Sequence, residues 1–253
     1  MRLLLFTVML CVGVSESLTA EPEPKPERKV RFLPVGELPP FRQDVRDGVR
    51  YELEPPAGSI PPREVVMGFD GEATEAASLR LGRISEPLKV PNGTGPLVLK
   101  QREAAAEAEP WMRLTRPEAG DFLVLLWRDG KRGTWEKANA LVLPDDPASA
   151  PAGSVRVINI SPYPVRIVIG AEKIFLDAGK SFKRTVSTGV EQPFQILLPD
   201  TSGNLKTLHS GVITQNQGER SLVLVFRADG ESPRRPVKVS VQREPAPALP
   251  VKG

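Results

Sequence analysis

Residues 122–130 read "FLVLLWRDG": six apolar side chains in a row, then a charged turn ending in glycine. A run this short, bounded by a glycine turn, is a β-strand covered on both faces and is too brief for a buried helix. Residues 222–230, "LVLVFRADG", repeat it. Each run should turn at Gly130 or Gly230 and return as a second strand, over Trp135 to Leu143 and Pro236 to Gln242.

Other landmarks recur in the same order. "VRFLPVGELP" from Val30 matches "VRVINISPYP" from Val155. "LKVPNG" at 88–93 is aligned with "IFLDAG" at 174–179, and "PWMRL" at 110–114 with "PFQIL" at 193–197. With about seven short strands per half, separated by turn signals, the pattern predicts an all-β chain of two tandem immunoglobulin-like antiparallel β-sandwich domains. The 21 glycines and 27 prolines suit many short strands and turns.

The expected organisation runs outward from these repeats. Residues 1–20, "MRLLLFTVMLCVGVSESLTA", place one arginine before an apolar run too short to span a bilayer, as in a secretory signal peptide. Cys11 follows Met9 and Leu10 rather than small residues, which argues against a lipoprotein anchor. A Pro-rich leader occupies 21–28, the first sandwich 29–143, a linker "PDDPASAPAG" 144–153, the second sandwich 154–244 and a flexible tail 245–253. On this alignment the first sandwich carries an insert over 40–78, with four arginines against eight acidic residues. "VRYEL" and "EVVMGF" inside it can form strands, and Tyr51, Met67 and Phe69 can bury. "QREAAAEAE" at 101–109 has helix formers without an apolar stripe, which allows at most one short surface helix.

The chemistry-bearing residues are sparse. The single cysteine lies in the signal stretch, so the expected mature chain has neither disulfides nor thiol chemistry. The one histidine, His209, is followed by Ser210, but neighbours on a strand point to opposite faces, and no G-x-S-x-G occurs. Zinc would need more His or Cys than remain. Calcium could use "PDDP" or the acidic insert, yet no D-x-D-x-D-G loop is present. No phosphate loop and no other cofactor motif occurs, and a net charge of +3 is too modest to imply nucleic acid. Residues 153–244 hold 13 basic and eight acidic residues, including the pair Arg234 and Arg235.

Trp127 has Phe226 as its counterpart and Trp111 has Phe194, which suits core anchors. Trp135, in "RGTWEKAN", has no aromatic counterpart. It packs on the domain boundary or stacks on a sugar or partner. The possible contact residues are therefore Trp135, Tyr51, Arg234 and Arg235, with no catalytic, cofactor or metal residue assigned. The expected function is an exported, non-catalytic binding, adaptor or scaffold protein of the cell envelope, its partner an envelope protein or a glycan. The alternatives are a carbohydrate-binding module using Trp135 and nearby loops, and a hydrolase with carboxylate catalysis.

The stretch "VRVINISPYPVRIVIG" resembles a family of secreted β-sandwich domains that open with V-R-x-x-x-x-S-P and lead into a strand ending at glycine. Asn159 and Tyr163 depart from that family's commoner His and Asp or Ala. The chain is also similar to exported tandem β-sandwich proteins of Verrucomicrobia-type bacteria, through "LVLLWRD" and "ADGESPRRPVKV". The resemblance implies a β-sandwich fold and an envelope location, and no activity.

Overall fold

The computed structural model describes residues 28–247, except residues 70, 71, 106, 131, 132, 201, 231 and 232. The expected signal stretch lies outside the described residues. Among these the chain has eighteen β-strands and no helix, so the all-β reading holds. The segment at 101–109 forms turns where described.

In the first half the strands are β1 (Arg28–Val35), β2 (Gln43–Arg46), β3 (Val49–Glu52), β4 (Glu64–Phe69), β5 (Glu72–Ser78), β6 (Leu88–Val90), β7 (Leu97–Gln101), β8 (Met112–Leu114), β9 (Phe122–Arg128) and β10 (Ala138–Pro144). They make two four-stranded sheets, β10-β9-β1-β6 and β5-β4-β7-β8, with β2 and β3 apart as a hairpin. The second half has β11 (Ser154–Asn159), β12 (Val165–Ile169), β13 (Glu172–Leu176), β14 (Ser181–Thr185), β15 (Gln192–Pro199), β16 (Leu205–Ile213), β17 (Glu219–Arg227) and β18 (Val237–Pro245). Its sheets are β18-β17-β11-β14 and β13-β12-β15-β16. Without the hairpin, the strand order of the two halves is the same.

The register proves the equivalence residue by residue. Parallel pairing sets Phe32 beside Val124 and, in the second half, Val157 beside Val223. Trp127 therefore corresponds to Phe226, as the repeats imply, and antiparallel returns follow both strands. The order itself departs from an immunoglobulin domain, whose A-B-E-D and C-F-G sheets place the second and third strands in different layers. Here those strands form a hairpin within one sheet, β4 with β5 and β12 with β13.

Two of the landmark alignments are corrected. β6, carrying "LKV", is the counterpart of β14, while "IFL" in β13 corresponds to β5. "MRL" in β8 corresponds to β16, and "PFQIL" in β15 to β7. Short apolar strands look alike in sequence, and only their sheet neighbours distinguish them. The insert shrinks as a result: β4 and β5 belong to the shared scaffold, and the extra chain lies within residues 36–63, whose counterpart in the second half is only residues 160–164.

Three apolar cores explain the burial. One lies between the sheets of the first half, with Phe32, Met67, Leu99, Val124 and Trp135, and a second between those of the other half, with Val157, Ile167, Phe194 and Val223. The third joins the halves: Leu33, Val35, Leu123 and Leu125 pack with Ile158, Leu222, Leu224 and Phe226. Alternate residues of β9 thus enter different cores, Phe122, Val124 and Leu126 in the first and Leu123 and Leu125 in the third. That is why "FLVLLW" has no polar residue. The whole is four layers of sheet, with β1/β9 facing β11/β17 at the centre.

Residues 144–153 are part of this packing. Asp145 and Ala150 are buried, and the Asp146 carboxylate accepts hydrogen bonds from the Ala148 and Ser149 amides. The linker is a fastened turn.

Candidate functional site

The extra segment, residues 36–63, leaves the first sandwich and returns to it. Its tip, Asp47-Gly48, has φ of 52° and 77°, so both residues adopt the left-handed conformation of a two-residue hairpin turn. The turn sets Val45 against Arg50 and Arg46 against Val49. Nothing from either sandwich covers this arm: every β3 residue is exposed, and β2 is exposed except for half-buried Asp44. Leu38, Phe41, Val45, Val49 and Tyr51 all lie in water, Leu38 being 75% exposed and Phe41 70%. A two-stranded hairpin with open edges and uncovered apolar side chains is marginal by itself and suited to pairing with something else.

The return of the arm is rigid. The Trp135 amide donates to the Gly58 carbonyl at 2.8 Å, Pro61 is buried, and Leu79 joins the first core. Leu38, Ile60, Pro61, Leu79, Arg80 and Leu81 line a groove of about 500 Å³ at the arm's base. Val45 and Val49 beside the tip, charged neighbours such as Asp44, Arg46, Arg50 and Glu52, and a groove lined by both apolar and charged side chains form one uncovered surface.

The sequence-derived contact residues are scattered. Tyr51 sits on the arm, 49% exposed. Trp135 is only 2% exposed and belongs to the first core. Its carbonyl accepts the Trp111 indole N–H at 2.7 Å. No face of Trp135 is open to a sugar, which overturns its expected contact role; Gly36, where the extra segment leaves β1, lies against its ring, and Gly58, where the segment returns, holds its amide. Arg234 and Arg235 are exposed between β17 and β18, with Arg235 donating to the Leu208 carbonyl. Among the described residues no hydrogen bond or ion pair joins them to the arm. Trp127 and Phe226 do pair as equivalents, but across the joint between halves rather than within each sandwich.

One pair of carboxylates does meet. Asp145 and Glu244, equivalent residues at the ends of β10 and β18, converge with Arg31 and Arg220 where the two halves join. All four carboxylate oxygens are taken. Arg31 Nε donates to Asp145 Oδ2 at 2.9 Å, Arg220 pairs with Asp145 Oδ1 and Glu244 Oε1 at 2.8 Å, and Arg31 Nη1 holds Glu244 Oε2. Burial dominates at Asp145 and pushes its carboxyl above the usual value despite both arginines. Burial also acts on Glu244, but the hydrogen bonds and charges of Arg31 and Arg220 outweigh it and hold that carboxyl low. Carboxylates so committed, with an arginine on every oxygen, latch two layers together. In the sequence the two lie apart, Asp145 in the expected linker and Glu244 at the last position of the expected second sandwich. Laying Trp127 on Phe226 would also have laid Asp145 on Glu244.

His209 lies beside the Phe194 ring, centroids 5.6 Å apart. Among the described residues no group of three or more His, Cys, Asp or Glu could hold a metal. No helix there is long and apolar enough to cross a membrane. Compared with known proteins, the chain matches no family model and no curated protein.

Proposed function

We propose that this chain is an exported, non-catalytic binding or adaptor protein of the cell envelope, and that the β2–β3 arm is the part that docks with its partner. One observation carries the reading. Among the described residues, five of the eleven exposed large apolar side chains lie between Leu38 and Tyr51, on or beside the β2–β3 hairpin, whose strands neither sandwich covers. Val49 and Tyr51 share one face of the hairpin and Val45 lies on the other, and leaving these side chains in water is unfavourable unless a partner covers them. Loops held by a rigid scaffold are where binding residues usually sit. The N-terminal apolar run after Arg2 supports export. The partner that fits is a protein surface with an open strand edge and apolar pockets, because the arm offers two unpaired strand edges.

The test replaces residues 41–53 with a short glycine linker and follows folding and capture separately. The deletion should unfold at the same urea concentration as the parent and lose the envelope partners that the parent captures by cross-linking. Unchanged capture would remove the arm from the binding surface. Unfolding would make it a structural cover.

A further inference from the structure

A cleft of about 460 Å³ opens where the C-terminal ends of β1, β9, β11 and β17 converge, at the far end of the central layers from the Asp145–Glu244 latch. It is built from equivalent segments of the two halves. Val35 and Trp127 face it from the first, Ile160 and Phe226 from the second, and one arginine comes from each, Arg128 and Arg227. The return ladders, Arg128 facing Ala138 and Arg227 facing Val237, make the two arginines counterparts; two residues beyond Arg128 lies Gly130, where a β-carbon would stand 3.1 Å from Arg227, as Asp229 lies two residues beyond Arg227 and reaches Arg128.

The two arginines are not treated alike. Arg128 is fully engaged: Nε donates to Asp229 Oδ1 at 2.7 Å, Nη2 pairs with the same oxygen at 2.6 Å, and Nη1 donates to the Gly133 carbonyl. Asp229 is itself fixed, its Oδ2 accepting the Glu37 amide while its own amide donates to Glu37 Oε2. On the other side the matching carboxylate is missing, because residue 130 is glycine. Among the described residues, Arg227 Nη1 donates to the Gly130 carbonyl alone, at 2.8 Å, and no carboxylate reaches its guanidinium. Asp129, also on the rim, has a partner of its own.

We infer that this cleft binds a small ligand carrying a carboxylate next to an apolar group, with Arg227 holding the carboxylate in the place Asp229 occupies on the opposite side. A planar guanidinium with free donors is suited to a carboxylate. Trp127, Phe226, Val35 and Ile160 supply the apolar wall. The volume suits an amino-acid-sized acid or the last residue of a peptide, two sources with the same recognition chemistry.

The experiment measures calorimetric binding of three probes to the full chain: N-acetyl-leucine, a hexapeptide ending in leucine with a free carboxylate, and that hexapeptide amidated. At least one acid should bind and the amide should not; which acid binds tells the source. Arg227→Gln should weaken binding by about tenfold or more, since a hydrogen bond to a charged group is lost. Gly130→Asp should abolish it by supplying the missing carboxylate from within. A β-carbon there would stand 3.1 Å from the mobile tip of Arg227, and Gly130 is outside the left-handed region, so the variant should keep its urea midpoint. Binding of the amide as strongly as the acids, no binding by either acid, or undiminished binding to folded Gly130→Asp would overturn the inference.

Discussion

Trp135 and Trp127 exchange the roles that their neighbourhoods in the sequence assign them. Trp135 sits among Arg, Gly, Thr, Glu and Lys, yet it is among the largest fully buried side chains. Trp127 ends an apolar strand, yet it is only half-buried because its strand end opens into the cleft between the halves. Emptying a filled core site costs the transfer energy of the ring plus the cavity it leaves. Trp135→Ala should therefore lower stability by about 3–5 kcal/mol, and Trp127→Ala by clearly less. Urea midpoints of the two variants check this, and equal losses would mean that Trp135 is not the anchor its burial makes it. Local polarity misled here because burial at Trp135 is imposed by residues 36–63 and by the opposite sheet, both remote in sequence.

At the level of elements, the contrast is between the arm and the segment joining the halves. Both look like exposed connections by composition. Residues 144–153 are held by the Asp146 turn and by Arg220, which donates to the Asp145 and Ala150 carbonyls. Among the described residues, the stretch 41–53 is held only by bonds within itself: those of the hairpin, the Leu53-to-Arg42 bond that extends them and the Asp44–Arg46 pair. Proteases cut where the backbone can open locally. Brief treatment with proteinase K, which has sites in both segments, should therefore cleave within 41–53 before it cleaves within 144–153, as read by intact mass. First cleavage beside residues 144–153 would mean that the turn is loose. Strand and hairpin identity at β9, β10, β17 and β18 was legible because an apolar run and a glycine turn are local signals. The identities of β6, β8, β13 and β15 were not, since three to eight residues of β pattern do not reveal which neighbour they pair with.

Across the whole molecule, the third core and the latch tie the two sandwiches into one structure, so unfolding should be a single cooperative transition. Its pH dependence follows from the latch. Glu244 is held below its ordinary value of about 4.3, so its stabilising contribution is complete above that pH and is lost as pH falls through the lowered folded value. Asp145 is raised, so it acts in the opposite sense and gains a proton more readily folded than unfolded. Glu244→Gln should flatten the fall in urea midpoint between about pH 5 and pH 2, and Asp145→Asn should steepen it. Two separate transitions, or an acid limb indifferent to Glu244→Gln, would show that the halves are not latched this way. By itself the sequence determined the all-β class, the duplication, and the strands β1, β9, β11 and β17 that form the centre. Each of these rests on runs of neighbouring residues and on a period of two, which a chain displays along its length. The tertiary structure alone decided the layer order, the extent of the extra arm, the burial of Trp135, the meeting of Asp145 with Glu244, and the difference between Arg128 and Arg227. Each of those depends on which distant strands lie side by side, and the free energy that selects the neighbours comes from burying faces against one another, which no short stretch of sequence contains.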